Sequence, residues 1–423
     1  MKHLKSIGTA AVLTAAALVL AGCSGGGSSG PVTINYAIWD QSQAPTFQKM
    51  ISVFEKENPD IKVNLQVTAS AQYMTKLQTE AGNNALPDVF WMNPFNFPLY
   101  ASQGAIQPIN DQVKKAGFDA NAIPAAMRDI YTYEGKLYAL PNNRDDIVVW
   151  YNKALFKAAG LSDPTAGWTW ADYQKDAAAL TDASKGVWGT AVPIDFRDLF
   201  VNTVHQAGGS ILSADKKTAQ WGTSAVQQGM QYWADMSTKG YSPSVDQLSS
   251  TDQNSLLLSG KVAMIYAGSW MGVTFKNSQL AKDGKLGVAV LPKGPKNDAS
   301  STSSLGNLIP AKAKHPDQSY KFVQFLGSKE AGDIYTEGGI AFSAYPSADK
   351  NFVNYFSSAF DAQPIADQLK NTFNLPVSLN SPVWQSDITA NLAPVIKGSV
   401  SVSDGLKKMN TDMQGALDKE ATQ

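Results

Sequence analysis

The chain is poor in the residue types that most often build disulfides and metal sites. It has one cysteine and three histidines among 423 residues. A single cysteine excludes an intrachain disulfide and any zinc site built from several cysteines. His205 and His315 lie far apart in the sequence and lack the short spacings typical of metal ligands. We therefore expect no metal and no cofactor, and we expect the hydrophobic core to supply the stability.

The chain also lacks an excess of charge of either sign. Its 35 lysines and arginines almost balance its 36 aspartates and glutamates, which gives a formal net charge of -1 at pH 7. The basic residues form no cluster along the sequence. The charge pattern therefore predicts no binding to nucleic acid.

The motifs of common enzyme classes are missing as well. Ser269 does not stand in a nucleophile elbow, because Ala267 occupies a position that requires glycine. The sequence has no phosphate-binding loop and no pair of histidines at helical spacing. One enzymatic alternative stays open, since a glycosidase needs only two carboxylates that flank a sugar. The candidates for such a pair are Asp40, Asp145, Asp195 and Asp198. No local motif favours this alternative, and we expect that the protein is not an enzyme.

The N-terminal stretch has the order of a secretory signal. Lys2 and Lys5 precede an uncharged apolar run over residues 7–20, which is shorter than the roughly 20 residues that span a bilayer. The following "LAGC" resembles the lipobox of bacterial lipoproteins, in which the cysteine receives a diacylglycerol. This predicts a signal peptide over residues 1–22, a lipid on Cys23 and a flexible Gly/Ser tether over residues 23–30. The alternative is a free cysteine in a disordered start.

Strand and helix patterns alternate after the tether. "VTINYAIWD" predicts a strand that ends at Asp40, and "PTFQKMISVFEKENPD" predicts an amphipathic helix. A strand in "IKVNLQV", a helix in "AQYMTKLQTEAG" and a strand in "PDVFWM" follow. The alternation predicts an α/β fold with a parallel or mixed sheet, and the chain length predicts two domains. Ligands of such sheets bind beyond the carboxyl ends of the strands, where Asp40 and Trp91 stand.

A second domain is predicted from "NNRDDIVVWYNKALFKAAGL" onwards, where a polar cluster precedes an apolar strand and a helix. The next stretch is mostly helical, with Thr169 as a helix N-cap and a short strand near "GTAVPI". "LGVAVLPKGP" is interpreted as the strand that returns to the first domain, and "SVSDGLKKMNTDMQGALDKE" as a closing helix.

Tryptophan is abundant, with ten residues in the chain. Aromatic rings stack on sugar rings, and neighbouring carboxylates and amides bind the hydroxyl groups, so tryptophan at strand ends is typical of carbohydrate recognition. Five tryptophans follow a strand or fall near predicted domain crossings: Trp39, Trp91, Trp150, Trp270 and Trp384. Core packing is the alternative, and for Trp150 it explains the pattern equally well. We expect the remaining tryptophans to pack in the core or on the surface.

Several polar residues accompany these tryptophans. Asp40 either caps the following helix or binds a ligand hydroxyl. Asn143, Arg144 and Asp145 form a polar group before a buried strand, which is either a solvated turn or the lining of a cleft. "PIDFRDLF" contributes Asp195, Arg197 and Asp198, whose opposite charges in many proteins simply balance each other.

The sequence resembles a known family, the extracellular solute-binding proteins of sugar ABC transporters of the maltodextrin-binding type. "SGKVAMIYAGSW", residues 259–270, resembles the family signature of a glycine-led Ala-Met strand followed by Gly-x-Trp. Further matching segments occur in the right order, and the similarity covers essentially everything after Pro31. These segments are "PDVFWMNPFNFPLYASQGAIQPI", "YALPNNRDDIVVWYNKALFKAAGL", "WTWADYQKDAAALT", "GVAVLPKGP" and "KHPDQSYKFVQFLGSKEAG".

The resemblance implies two α/β lobes that are joined by hinge strands and close on a ligand. Lobe 1 would contain residues 31–144 and 291–346, and lobe 2 residues 145–290 and 347–423. The implied ligand contacts include the strand-end residues Asp40 and Trp91, the hinge carboxylate Asp145, and the stacking residues Trp270 and Trp384. After Trp91 the chain departs from the family, because "MNPFNF" stands where maltodextrin binders have an acid and an arginine. Asn93 is a partial substitute.

The full set of expected ligand-binding residues is Trp39, Asp40, Trp91, Asn93, Asn143, Asp145, Asp195, Asp198, Trp270, Phe342 and Trp384. The resemblance implies a monomeric, extracellular receptor, held by Cys23 at the outer face of the bacterial cytoplasmic membrane. Such a receptor binds a mono- or oligosaccharide and delivers it to the permease of an ABC importer. A protein of the same fold that binds another solute, such as a peptide or a polyamine, is the alternative.

Overall fold

The structure is a computed structural model that describes residues 30–420. The predicted signal peptide, Cys23 and most of the predicted tether lie outside the described residues.

The described part of the chain alternates short strands with helices. Its strands are β1 (Val32–Ile38), β2 (Ile61–Val67), β3 (Val89–Met92), β4 (Thr132–Tyr133), β5 (Lys136–Leu137), β6 (Asn143–Arg144), β7 (Ile147–Asn152), β8 (Trp188–Thr190), β9 (Val262–Gly268), β10 (Leu286–Ala289), β11 (Ser300–Thr302), β12 (Gly306–Leu308), β13 (Phe342–Ser343) and β14 (Thr372–Asn374). Its α-helices are α1 (Ala44–Glu57), α2 (Ser70–Gly82), α3 (Phe97–Ser102), α4 (Asn110–Lys115), α5 (Ala125–Ile130), α6 (Lys153–Ala158), α7 (Trp170–Leu180), α8 (Val201–Gln206), α9 (Ser224–Thr238), α10 (Val245–Ser250), α11 (Gln253–Leu258), α12 (Gly272–Lys276), α13 (Gln279–Lys282), α14 (Pro316–Leu326), α15 (Lys329–Glu337), α16 (Asp349–Phe356), α17 (Gln363–Gln368), α18 (Ser381–Ile396) and α19 (Val402–Glu420).

The first sheet has the strand order β12-β3-β1-β2. Strands β2 and β3 run parallel to β1, and β12 runs antiparallel to β3. Helix α1 buries Phe47, Met50, Ile51 and Phe54, whose spacing places them on one helix face. This face and the apolar strands form the first core, which draws its buried side chains from residues 34–140 and 308–344. We call this unit lobe 1.

The second sheet has the order β10-β7-β9-β8. Every residue of β7 and β9 is buried, as expected for central strands covered on both faces. The two core clusters around this sheet draw almost entirely on residues 147–291 and 342–417. We call this unit lobe 2. Helix α7 begins after Thr169, which is its N-cap as the sequence predicts, and the Asp172 side chain completes a capping box.

One sequence interpretation is wrong in this region. "LGVAVLPKGP" contains β10, which pairs antiparallel with β7 in lobe 2 and does not return to lobe 1. Leu291 also packs in the lobe 2 core. The chain returns to lobe 1 further along, from β11 to β12, because only there does it pair with β3.

The chain passes between the lobes through two short strand pairs. Strand β13 pairs antiparallel with β6, and β11 pairs parallel with β14. Asn143 ties two of the crossings together, since its Oδ1 accepts hydrogen bonds from the Leu305 N–H at 2.8 Å and from the Ser304 hydroxyl at 3.2 Å. These crossings are the hinge of the structure.

Candidate ligand-binding site

A cavity of about 210 Å³ lies between the two lobes, beside the hinge. Lobe 1 contributes Trp39, Asn93 and Phe95, and lobe 2 contributes Arg197. Ser303 of the crossing chain completes the wall. Because the walls come from both lobes, the size of this cavity depends on how far the lobes are separated. We refer to it as the cleft cavity.

A larger cavity of about 770 Å³ also lies between the lobes. Its walls include Tyr133 of lobe 1 and His205 and Phe373 of lobe 2, and Pro94 and Leu375 are shared with the cleft cavity. None of the residues predicted to bind ligand lines it. Of the predicted residues, Trp39 and Asn93 line the cleft cavity.

Arg197 joins two of the predicted site residues. Its Nη2 donates a hydrogen bond to Oδ1 of Asp145 at 2.8 Å, and its guanidinium carbon lies 4.4 Å from the centre of the Trp270 ring. The Ser303 N–H donates to the same Asp145 oxygen at 2.8 Å. Cation–π attraction and the ion pair hold the guanidinium between the ring and the carboxylate.

Arg197, like Phe95 and Ser303, lines the cleft cavity but was not predicted from the sequence as a site residue. The sequence suggests that it balances the adjacent Asp198, whereas in the structure its partner is Asp145, which lies in a distant part of the chain. Its place between Asp195 and Asp198 in the sequence was the available signal. That signal does not identify the partner, because the pairing depends on the tertiary contact between the π-helix Phe196–Phe200 and the hinge.

The glycine of the "GSW" segment has a steric role. A Cβ atom at Gly268 would lie 2.1 Å from atoms of the Trp270 ring. Trp270 therefore folds back over the end of β9 only because residue 268 has no side chain. The short 3₁₀ turn over Ser269–Met271 places the ring, which is partly exposed, beside Arg197.

Burial changes the pKa values of the charged groups around Arg197. Burial raises the pKa of Asp145, although the charge of Arg197 opposes this. Burial raises the pKa of Asp198 well above its ordinary value, and the charge of Asp195 raises it further. Burial works to lower the pKa of Arg197, but the neighbouring carboxylates outweigh it and raise that pKa. Asp195 and Asp198 are also joined by a hydrogen bond from the Asp198 N–H to Asp195 Oδ1 at 2.7 Å.

Asp40 takes part in a local turn. Its Oδ1 accepts hydrogen bonds from the N–H and the hydroxyl of Ser42, and its Oδ2 accepts one from the Gln43 side chain, all within 2.7 to 2.8 Å. The alternative that Asp40 caps helix α1 is wrong, because the N-cap of that helix is Gln43 and no side chain caps it. Asp40 instead stabilises the turn that precedes the helix. Asn93 has a comparable local bond, because its Oδ1 accepts from the Asn96 N–H at 3.0 Å, and it also lines the cleft cavity.

Trp91 does not occupy the position expected of a stacking residue. Its side chain is 0% exposed and contacts the Trp39 and Phe47 rings at centroid distances of 4.8 and 5.1 Å. The prediction that Trp91 stacks on ligand is wrong in this structure, because β3 is covered on both faces and its tryptophan points into the lobe 1 core. The partly exposed Trp39 ring lines the cleft cavity instead.

Phe342 is a second correction. It is 0% exposed in β13, and its ring centre lies 4.1 Å from that of Phe352 in a core cluster of lobe 2. Its expected contact with ligand is wrong in this arrangement, since the ring is buried in that cluster and does not line the cleft cavity. Trp150 is also fully buried, where it packs against Phe275 and Phe360.

Trp384 lies at the boundary between the lobes. It is 0% exposed, and its indole N–H donates to the Ser378 hydroxyl at 2.9 Å. The rings of Phe196 and Phe95 meet it edge-on, and Phe95 belongs to lobe 1. Stacking of Trp384 on a ligand therefore requires that Phe95 withdraw.

Residues 30–420 contain no helix that is long and apolar enough to cross a bilayer. The same residues contain no group of three histidine, cysteine, aspartate or glutamate side chains that could hold a metal ion.

Comparison of the sequence with known proteins gives consistent matches. The profile of the bacterial extracellular solute-binding proteins matches residues 39–333. A putative binding protein of Brucella abortus is 26% identical over 384 residues, which cover 86% of this chain and 87% of that protein. An arabinooligosaccharide-binding protein of Bacillus subtilis is 23% identical over 424 residues, which cover 96% and 95% of the two chains.

Solved structures with the same fold are also found. An ABC substrate-binding protein of Listeria monocytogenes, in complex with cycloalternan, matches with a TM-score of 0.85 and 26% identity over 92% of this chain and 99% of that chain. A receptor of Streptomyces glaucescens, solved without ligand and with acarbose, matches with a TM-score of 0.80 and 23% identity over 92% and 99%. The latter likeness shows the fold alone.

These findings confirm the predicted two-lobed α/β fold and the family resemblance. The family profile covers more than half of the chain, and it spans segments of both lobes and the two crossings at β6 and β11. The chain therefore belongs to the bacterial extracellular solute-binding proteins.

Proposed function

We propose that the protein is a transport receptor that binds a mono- or oligosaccharide between its lobes and presents it to an ABC importer. The observation that carries this proposal is the cleft cavity, where Trp39 and Asn93 of lobe 1 face Arg197 of lobe 2, with Trp270 against the guanidinium. Aromatic faces next to amide, guanidinium and carboxylate groups suit the apolar and hydroxyl faces of a sugar. The related arabinooligosaccharide-binding protein and the related structure in complex with cycloalternan support a saccharide as the ligand class.

The proposed contacts fall into two groups. Trp39, Asn93, Arg197 and Trp270, together with the Asp195 and Asp198 carboxylates, would touch the ligand. Asp40, Asn143 and Asp145 would position these contacts, because their side chains are bonded to neighbouring chain segments. Trp384 would join the first group only when the lobes separate.

The proposed mechanism is a hinge motion. An open form binds the sugar on one lobe, and the ligand then favours the closed form by the contacts that it adds on the other lobe. The cleft cavity of about 210 Å³ is smaller than the roughly 300 to 1,000 Å³ of typical ligand pockets, so the lobes must separate before a saccharide enters. No bond of the ligand is broken in this cycle, and the protein acts as a receptor and not as an enzyme.

The placement of the receptor in the cell belongs to the same proposal. Residues 1–22 would be removed as a signal peptide, and a diacylglycerol on Cys23 would hold the monomeric protein at the outer face of the cytoplasmic membrane. Residues 31–144 and 303–346 would move as one lobe, and residues 145–302 and 347–420 as the other. The predicted boundary at residue 291 thereby moves to the β11 crossing, because β10 and Leu291 pack in lobe 2. Replacing Cys23→Ala should release the protein from the membrane fraction without changing its ligand affinity, and retention in that fraction would contradict the anchor.

The decisive experiment is a thermal-shift screen of the protein against mono- and oligosaccharides, followed by calorimetric titration of each hit. A ligand that binds only the folded state raises the melting temperature by mass action. We expect a rise with one saccharide series, and chromatography should recover that saccharide unchanged. A shift only with peptides or polyamines would replace the sugar by another solute, and cleavage of the saccharide would identify a glycosidase.

A further inference from the structure

Phe95 belongs to lobe 1 by its place in the chain but packs with lobe 2. It lies between β3 and α3, both of which are elements of lobe 1. Its ring is nevertheless 9% exposed and forms part of the core cluster that surrounds the second sheet. Phe95 is the buried side chain of lobe 1 that enters this cluster, so it is a direct contact across the cleft.

The partners of Phe95 are the aromatic residues at the lobe boundary. The Phe95 and Trp384 ring centres lie 6.4 Å apart at an interplanar angle of 88°, and Phe196 meets Trp384 at 6.1 Å and 82°. Both are edge-to-face contacts, which stabilise aromatic pairs beyond their buried area. Trp384 is 0% exposed in this arrangement. It has no ring face available to a ligand while Phe95 stays in place.

Phe95 also forms part of the wall of the cleft cavity, together with Trp39, Asn93 and Arg197. The same side chain thus lines the cavity and covers Trp384. Separation of the lobes would remove Phe95 from lobe 2 and expose the apolar surface of both rings, which is unfavourable in water. The contact between Phe95 and Trp384 therefore favours the closed arrangement.

We propose that Phe95 is a specificity-determining residue that closes the Trp384 end of the cleft and limits the length of the saccharide bound in the closed form. This inference rests on the proposed function. A short ligand fills the cleft cavity and leaves the Phe95–Trp384 contact intact. A longer ligand extends towards Trp384, displaces Phe95 and loses the contact between the lobes. The receptor consequently discriminates against the longer members of a saccharide series.

The test compares affinities for short and long members of one series. Calorimetric titration with maltose and maltopentaose, and in parallel with arabinobiose and arabinopentaose, gives the ratio of the two dissociation constants. In Phe95→Ala we expect the preference for the shorter sugar to fall at least tenfold, and in Phe95→Leu to fall by less. Phe118→Ala is the matched control, since Phe118 is a partly buried phenylalanine that packs only on the lobe 1 core.

The outcomes are distinguishable. An unchanged ratio in folded Phe95→Ala and Phe95→Leu, with the wild-type protein binding the sugars, overturns the role of Phe95 and leaves the proposed function intact. Failure of the wild-type protein to bind any saccharide overturns the proposed function. In that case small-angle scattering of the ligand-free protein still tests the contact: a larger radius of gyration for Phe95→Ala than for Phe118→Ala supports it, and equal radii contradict it.

Discussion

Arg197 and Asp145 form an ion pair that joins the cleft wall to the hinge, with 2.8 Å between Nη2 and Oδ1. The Asp145 side chain is 8% exposed and that of Arg197 is 26% exposed, so the pair is largely shielded from water. The same Asp145 oxygen accepts the Ser303 N–H, and the Asp145 carbonyl accepts the Thr302 hydroxyl at 2.6 Å. Asp145 thus connects the crossing beside β6 and the crossing at β11 to the π-helix Phe196–Phe200, which carries proposed sugar contacts.

Loss of the arginine should be costly because Asp145 would stay buried without its counter-ion. We expect Arg197→Met to lower the free energy of unfolding by about 3 kcal/mol, the usual effect of removing one partner of a buried pair. Urea unfolding followed by tryptophan fluorescence measures this change. The double variant Arg197→Met with Asp145→Asn should recover part of the loss, since the amide oxygen still accepts the Ser303 N–H. A single variant as stable as the wild type would contradict the pairing.

The tryptophans should separate into ligand contacts and core residues. We expect Trp39→Ala and Trp270→Ala each to weaken saccharide binding about tenfold, which corresponds to about 1.4 kcal/mol of lost stacking. Trp91→Ala should instead destabilise the fold by about 3 kcal/mol, because it removes a fully buried ring. Calorimetric titration and melting temperatures measure the two effects. Trp188→Ala is the control for affinity, since Trp188 packs on a lobe 2 core away from the cleft cavity. Equal losses of affinity in all four variants would contradict the assignment.

The Asp195–Asp198 pair should make stability depend on pH. Burial raises the pKa of Asp198, so the folded protein binds more protons than the unfolded chain between the ordinary aspartate value and the raised pKa. Stability contributed by the protonated form is present at low pH and is lost as the pH rises through this window. We therefore expect Asp198→Asn to raise the melting temperature at neutral pH and to flatten its fall with rising pH.

Asp172 provides a control of opposite sign for this measurement. Hydrogen bonds from the hydroxyl and the N–H of Thr169 lower the pKa of Asp172. The stability that the ionised Asp172 contributes to the fold is present at neutral pH and is lost as the pH falls. Asp172→Asn should therefore lower the melting temperature at neutral pH. If both asparagine variants shift the melting temperature downward, the raised pKa of Asp198 is contradicted.

The glycine beneath Trp270 should not tolerate a side chain. In Gly268→Ala the new Cβ would meet the ring at 2.1 Å, so the ring must leave Arg197 and we expect both affinity and melting temperature to fall. Gly415→Ala is the matched control, because a Cβ there meets nothing within 4 Å and the residue lies inside helix α19. That variant should gain about 0.5 to 1 kcal/mol of stability from the helix propensity of alanine. Unchanged binding in Gly268→Ala would show that the Trp270 ring is not held in this position.

Local pattern was sufficient for most elements of the fold. Helix α1, the N-cap at Thr169 and the closing helix α19 occur where the sequence predicts them. The reason is that each depends on periodicity or on hydrogen bonds within a few residues. Strand β10 was assigned to the wrong connection, because an apolar strand carries no information about which sheet edge it joins.

The sequence by itself determined the class of the fold, the family and the residue types of the candidate site. Apolar periodicity and family segments are properties of the linear sequence and can be identified without a structure. Only the tertiary structure decided which of these residues share the cleft. Trp91 and Trp39 have the same aromatic character, yet the covered strand β3 buries one and the end of β1 exposes the other. Arg197 meets Asp145, and Phe95 meets Trp384, across long separations in sequence. Such pairings arise from packing between the lobes, which local patterns do not encode.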